Sequence, residues 1–198
     1  MAQETSQAER ILDAAEVVLR RFGVAKTNVV DVARALEMSH GNIYRYFPNK
    51  KALLVAIAER WLTAMMTPLD EIAADDSRPA ATRLLDWLEK IRSSKRKKLM
   101  DDPEVFRIHF DIVADSPDLR LRHLEHLHAQ IEQIMRDGIA AGDLAPSMDA
   151  PVVAKAFLQA TMAFHHPALI MGGASPTKAD AEAIVGLILD GLRKRPRR

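Results

Sequence analysis

Between residues 39 and 50 the chain places polar side chains more densely than a buried helix would hold them. His40, Asn42, Tyr44 and Arg45 can each donate hydrogen bonds, and Gly41 among them allows close approach to the backbone. Ile43 and Phe47, one turn apart, provide an inward anchor. Ser39 has the character of an N-cap, and Pro48 stops the stretch. A short helix with this outward face suits a DNA major groove, with Tyr46 and Lys50 reaching phosphates at its flank.

Such a helix needs another to brace it across the DNA backbone. Upstream, Ile11, Ala15, Val18 and Phe22, with Leu12 and Leu19 alongside, recur at helical spacing, and Gly23 stands where that first helix would end. Thr27 is placed as the N-cap of a second, short helix whose buried face is Val29, Val32, Ala33 and Leu36. Ser39 follows three residues later, so two short helices meet at a tight turn. A fourth helix starts near Asn49, carries Leu54, Ala58, Trp61 and Met65 on one face, and is expected to break or kink near Pro68. Past the loop from Asp75 to Pro79, a helix with Leu84, Leu88 and Ile91 ends in Arg92, Lys95, Arg96, Lys97 and Lys98, a run read as a solvated terminus suited to the helix dipole. Further helices are expected at about 103–114, 117–141, 150–166 and 178–194, giving an all-α fold of about nine helices and no strands.

The stretch from Thr27 to Leu54, TNVVDVARALEMSHGNIYRYFPNKKALL, closely resembles the DNA-binding region of the TetR family of bacterial transcription regulators, and the likeness extends back through RILDAAEVVLRRFG. The resemblance implies an all-helical homodimer. Its N-terminal helix-turn-helix domain, residues 1–50, would bind a double-stranded DNA operator, and residues 51–198 would dimerise through the last two helices and hold an effector. By position, the family's base-reading stretch falls on His40, Gly41, Asn42 and Tyr44, and its phosphate contacts on Thr27, Tyr46 and Lys50. Two positions depart from the family pattern. Glu37 stands where the turn commonly has Gly, implying backbone strain or an altered turn, and Val30 replaces a residue that is often polar or basic.

In the C-terminal part, Leu124, Leu127, Ile131, Ile134 and Gly138 share one face of a helix, with His128 beside them. The helix expected at 150–166 is apolar on two faces. One, with Val153, Phe157, Ala160 and Phe164, is assigned to a dimer bundle together with Ile184, Leu187, Ile188 and Gly191 of the last helix. The other helps line an apolar pocket bordered by Trp87, Phe106, His109, Phe110, His128, Met135, Met162 and His165, suited to a small hydrophobic or aromatic molecule.

Composition narrows the alternatives. The 198 residues are 48% hydrophobic, 28% charged and 5% aromatic, the balance of a globular protein, and no apolar run reaches the length of a membrane span. The absence of cysteine removes disulfides and thiolate metal sites and suits a reducing compartment, and the polar, acidic N-terminus, unlike a basic segment followed by an apolar one, leads to the expectation of a cytoplasmic chain. The net charge of +1 hides a mildly acidic body, because Arg193, Lys194, Arg195, Arg197 and Arg198 crowd the C-terminus. His123, His126 and His128 invite a metal, but His126 and His128 diverge by about 160° on a helix and no HExxH pattern exists, so neither metal nor cofactor is expected. Three functions remain in order: a dimeric repressor released by a small ligand, a DNA-binding regulator whose C-terminal domain only dimerises or binds a protein, and, distantly, a helical metal-dependent enzyme. With no phosphate loop or nucleophile elbow, the chain is not expected to be an enzyme.

Overall fold

The Ser6 side chain accepts a hydrogen bond from the Glu9 amide and opens α1 (Gln7–Lys26), in a computed structural model that describes residues 6–145, 149–174 and 176–192. Gly23, at φ 71° and ψ 170°, kinks α1 in a backbone region essentially open to glycine alone. Next come α2 (Val29–Ala35), α3 (His40–Tyr46) and α4 (Lys50–Ala74). They are followed by α5 (Ala80–Asp101), α6 (Pro103–Ala114), α7 (Pro117–Ala140), α8 (Ala150–Ala160), α9 (Met162–His165), α10 (Pro167–Met171) and α11 (Lys178–Leu192). The described residues therefore form eleven helices and no strand, the all-α class expected with two more helices.

One extra helix comes from a division of the segment expected at 150–166, and the other lies just beyond it. Fully buried Thr161 donates its hydroxyl to the Phe157 carbonyl at 2.8 Å and leaves helical geometry at φ −99°, ψ 13°, ending α8. Pro167 then stops α9 and opens α10. The break expected near Pro68 does not occur: α4 runs through it to Ala74, and the carbonyl that loses its amide partner belongs to exposed Ala64.

The chain forms two compact units, one running to Thr63 and taking in Asp102–Arg120, the other made of Ala64–Asp101 and the chain from Leu121. The split expected after residue 50 moves for a packing reason. The first part of α4 buries Leu53, Ile57, Ala58 and Leu62, and α6 packs on α1 with Phe106, Ile108 and Ile112 buried. Trp61 holds α6 to α4, edge-on to Phe106 at 5.9 Å and stacked on His109 at 4.8 Å. By length and composition α4 is apolar enough to cross a membrane, contrary to the sequence expectation. Arg60 in its middle pairs with Glu9 at 3.0 Å, Asp13 at 2.7 Å and Glu16 at 2.8 Å, which fits a core helix with one solvated edge.

In the second unit α5 is central, with Leu84, Trp87, Leu88 and Ile91 fully buried and α9, α10 and α11 packed on it. Arg83, also buried, pairs with Asp137 at 2.8 Å and donates to the Ile72 and Ala73 carbonyls. Gly138 lets α7 lie against α5, since a Cβ there would sit 2.6 Å from that of Ala80.

Candidate nucleic-acid interface and interior polar cluster

The turn between α2 and α3 closes as a Schellman motif: the Met38 amide donates to the Ala33 carbonyl at 2.9 Å and the Glu37 amide to Arg34 at 3.1 Å. Glu37 occupies the left-handed position at φ 54°, alone among the described non-glycine residues, so the strain expected from a missing glycine is present. Ile43 is fully buried and Phe47 nearly so, which turns the opposite face of α3 outward.

That outward face carries the expected row. His40, Gly41 and Arg45 are exposed, Asn42 is half-buried, and Tyr44 and Tyr46 are 42% and 47% exposed. Ser39 is the N-cap, but its hydroxyl makes no capping bond. A Cβ on Gly41 would meet nothing closer than the Ser39 hydroxyl at 3.9 Å, so the backbone there is open to a partner. Half-buried Lys50 donates to the Ala25 carbonyl at 3.2 Å, tying the start of α4 to the end of α1 and leaving two N–H groups for a phosphate.

Thr27 corrects the sequence reading. Asn28, not Thr27, is the N-cap of α2. Thr27 is 2% exposed and its hydroxyl donates to the Gly23 carbonyl at 2.8 Å, so it fixes the end of α1 rather than offering a donor to DNA.

The eight residues expected to border one pocket divide between the units. Phe106, His109 and Phe110 belong to α6 in the first, where the apolar face of α6 packs on α1 and α4 and His109 Nδ1 lies 2.8 Å from the Val105 carbonyl. Met162 is exposed, because the break at Thr161 reorients the chain. His128 is half-buried on α7, its Nε2 2.9 Å from the Pro151 carbonyl. Nearby, an open cleft of about 480 Å³ is lined by Arg136, Ile139, Ala140, Asp149, Ala150 and Pro151. Met135 is buried in the second unit. Trp87 and His165 meet edge-on at 6.3 Å in its interior.

The expected dimer stripe is corrected in part. Phe157 and Phe164 are buried in their own chain, Phe157 edge-on to Trp87 at 6.3 Å, and cannot face a second copy. Val153, Ile184 and Ile188 are half-buried, whereas Ala160, Gly191 and Leu187, the last 72% exposed, face outward. Val152 and Ala156 join Ala160 on the exposed side of α8.

Sequence reasoning missed Lys95. Read with its neighbours as a solvated helix end, it is instead 2% exposed, and its ammonium donates to the His165 carbonyl at 2.6 Å. The signal was its register, one step further along the stripe Leu84, Leu88, Ile91. Burial lowers its pKa from 10.5 to about 7. Burial, reinforced by Lys95, lowers His123 to about 3 and His165 to about 4. His165 Nε2 lies 3.1 Å from the Leu158 carbonyl, while His123 Nδ1 is buried without a hydrogen-bond partner. The basic tail lies outside the described residues.

Residues 11–57 match the family of bacterial regulatory proteins, tetR family, and residues 80–185 match the Tetracyclin repressor-like, C-terminal domain. The chain belongs to the TetR family. As a TetR-family protein it is a DNA-binding transcription regulator, with α2 and α3 as its helix-turn-helix. It is 26% identical over 160 residues to the HTH-type transcriptional regulator YfiR of Bacillus subtilis, spanning 79% of this chain and 76% of that one. Two solved structures share the fold. SmeT, the repressor of the Stenotrophomonas maltophilia multidrug efflux pump SmeDEF, superposes with a TM-score of 0.68 at 23% identity, covering 96% of this chain and 92% of SmeT. FadR from Bacillus subtilis, in complex with stearoyl-CoA, gives 0.61 at 18% identity, covering 93% and 98%.

Proposed function

We propose that this regulator is a repressor that binds a palindromic operator as a homodimer and is released by a small, largely apolar molecule held in its second unit. The observation that carries the reading is the row His40, Gly41, Asn42, Tyr44 and Arg45, turned outward by the buried Ile43 and Phe47. Ser39, Tyr46 and Lys50 flank it as phosphate contacts. Ala160 with Val152 and Ala156 on α8, and Leu187 with Ala183 and Gly191 on α11, supply an exposed apolar face for a two-fold partner. Trp87 and His165, in the interior of the same unit, are the pocket residues retained. SmeT, a repressor, has been solved with triclosan, which supports an apolar effector here. A regulator of this kind works in the cytoplasm, where its DNA is.

The test is selection of random duplex DNA by the purified protein, followed by sedimentation of the complex. The expected result is a two-fold symmetric site with half-sites about 34–36 Å apart, bound by two chains. An asymmetric site bound by one chain would contradict the dimer, and no enrichment above non-specific binding at ~150 mM salt would contradict the operator.

A further inference from the structure

Helix α5 buries two cations and treats them differently. Arg83, 1% exposed, has the Asp137 carboxylate at 2.8 Å and two carbonyls, so its charge is neutralised within the fold. Lys95, 2% exposed and on the same helix, has the His165 carbonyl at 2.6 Å and no carboxylate among the described residues within ion-pairing distance. An ammonium has three N–H groups, so two remain. The groups close enough to act on it are His123, His165 and His166, with His126 acting in turn on His123. Asp70 is spoken for, accepting from Gln130 at 2.6 Å, with His126 Nε2 also at 2.6 Å, and Gln130 in turn accepts from Trp87 at 2.9 Å. His123 Nδ1 remains buried and unpartnered. Trp87 and Phe157 furnish apolar walls nearby, Trp87 being edge-on to His165.

From this arrangement we infer that Lys95 and His123 form an anion-recognition site for the carboxylate of an apolar monocarboxylic acid, the effector class of this regulator. The carboxylate accepts from the free N–H groups of Lys95 and from Nδ1–H of His123, while the hydrocarbon lies along Trp87 and Phe157. The ligand thus supplies the counter-ion that Asp137 supplies to Arg83. His165 stays neutral and orients the ammonium through its carbonyl. The inference rests on the ligand-released reading and specifies the ligand's charge.

The test uses the full chain and two matched pairs of probes, decanoate with decan-1-ol and 4-phenylbutyrate with 4-phenylbutan-1-ol, titrated into wild type and Lys95→Met by calorimetry. Wild type is expected to bind at least one carboxylate ten-fold or more tightly than its alcohol, and Lys95→Met to lose that preference. Because methionine fills similar space without a charge to bury, the ligand-free variant is expected to melt a few degrees above wild type. A preference that survives in Lys95→Met, no preference for either acid, or a fall in melting temperature would overturn the site. Operator release is scored separately. Carboxylate binding through Lys95 with no effect on DNA would sink the ligand-release reading and spare the site; release by the alcohols, equal in wild type and variant, would do the reverse.

Discussion

Glu37 carries its strain in the turn that sets the angle between α2 and α3, at the position where a Schellman motif favours glycine. Glu37→Gly is expected to raise stability by up to about 1 kcal/mol, read as a higher urea midpoint; a lower midpoint would mean the left-handed backbone carries no strain. Gly41 poses the opposite case. Its Cβ position is open and alanine favours a helix over glycine by about 1 kcal/mol, so Gly41→Ala should keep or raise the melting temperature while weakening operator binding. Unchanged affinity would show that the backbone at Gly41 does not approach DNA. Both residues were legible in the sequence, one as the base-reading glycine and the other as the missing one. Thr27 was not, because a threonine before a helix reads equally as N-cap or as the closing residue of the helix before it, and only its bond to Gly23 decides between them.

Among the helices, periodicity placed those with one buried face well and failed where a helix was divided or covered on several sides. The expected 103–114 and 117–141 match α6 and α7 closely, since Pro103 and Pro117 mark their first turns. The stretch from 150 to 171 was beyond such reading, because the helix ends where the Thr161 hydroxyl takes a backbone carbonyl, a choice made by burial rather than by type. Phe157 and Phe164 were misassigned to a dimer for the same reason: on a helix apolar on two sides, the pattern does not say which side meets its own chain. The α5–α7 contact offers a direct check. Gly138→Ala would drive a methyl to 2.6 Å from Ala80 Cβ and 2.9 Å from Leu144, so a loss of about 1–3 kcal/mol is expected in chemical denaturation. A loss below about 0.5 kcal/mol would mean the two helices slide apart at little cost.

For the molecule as a whole, the buried bases make stability depend on pH in a defined direction. Lys95 has a pKa of about 7 when folded against 10.5 ordinarily, so the unfolded chain takes up the proton first as pH falls, and stability drops between about 10.5 and 7. His165 at about 4 and His123 at about 3, against 6.5 ordinarily, produce a second fall below 6.5 by the same sign. The urea midpoint should therefore be higher at pH 9.5 than at pH 7, and this difference should shrink in Lys95→Met; an equal difference in both proteins would place the titration elsewhere. The DNA-binding function was readable from the first quarter of the chain because α3 must expose the residues it uses. The sensor half was not, since Lys95 works by being buried and its position in a run of surface cations concealed that.

We propose that α3 reads bases while its flanks hold phosphates. The most direct measurement is selection of random duplexes by wild type, Tyr44→Ala and Lys50→Ala, with affinities followed over salt. Tyr44→Ala should lose preference at a defined position in each half-site. Lys50→Ala should keep the wild-type motif, bind every sequence more weakly, and lower the salt slope by about one. Recovery of an unaltered motif at unaltered stringency by Tyr44→Ala would contradict the assignment of α3 as the reading helix.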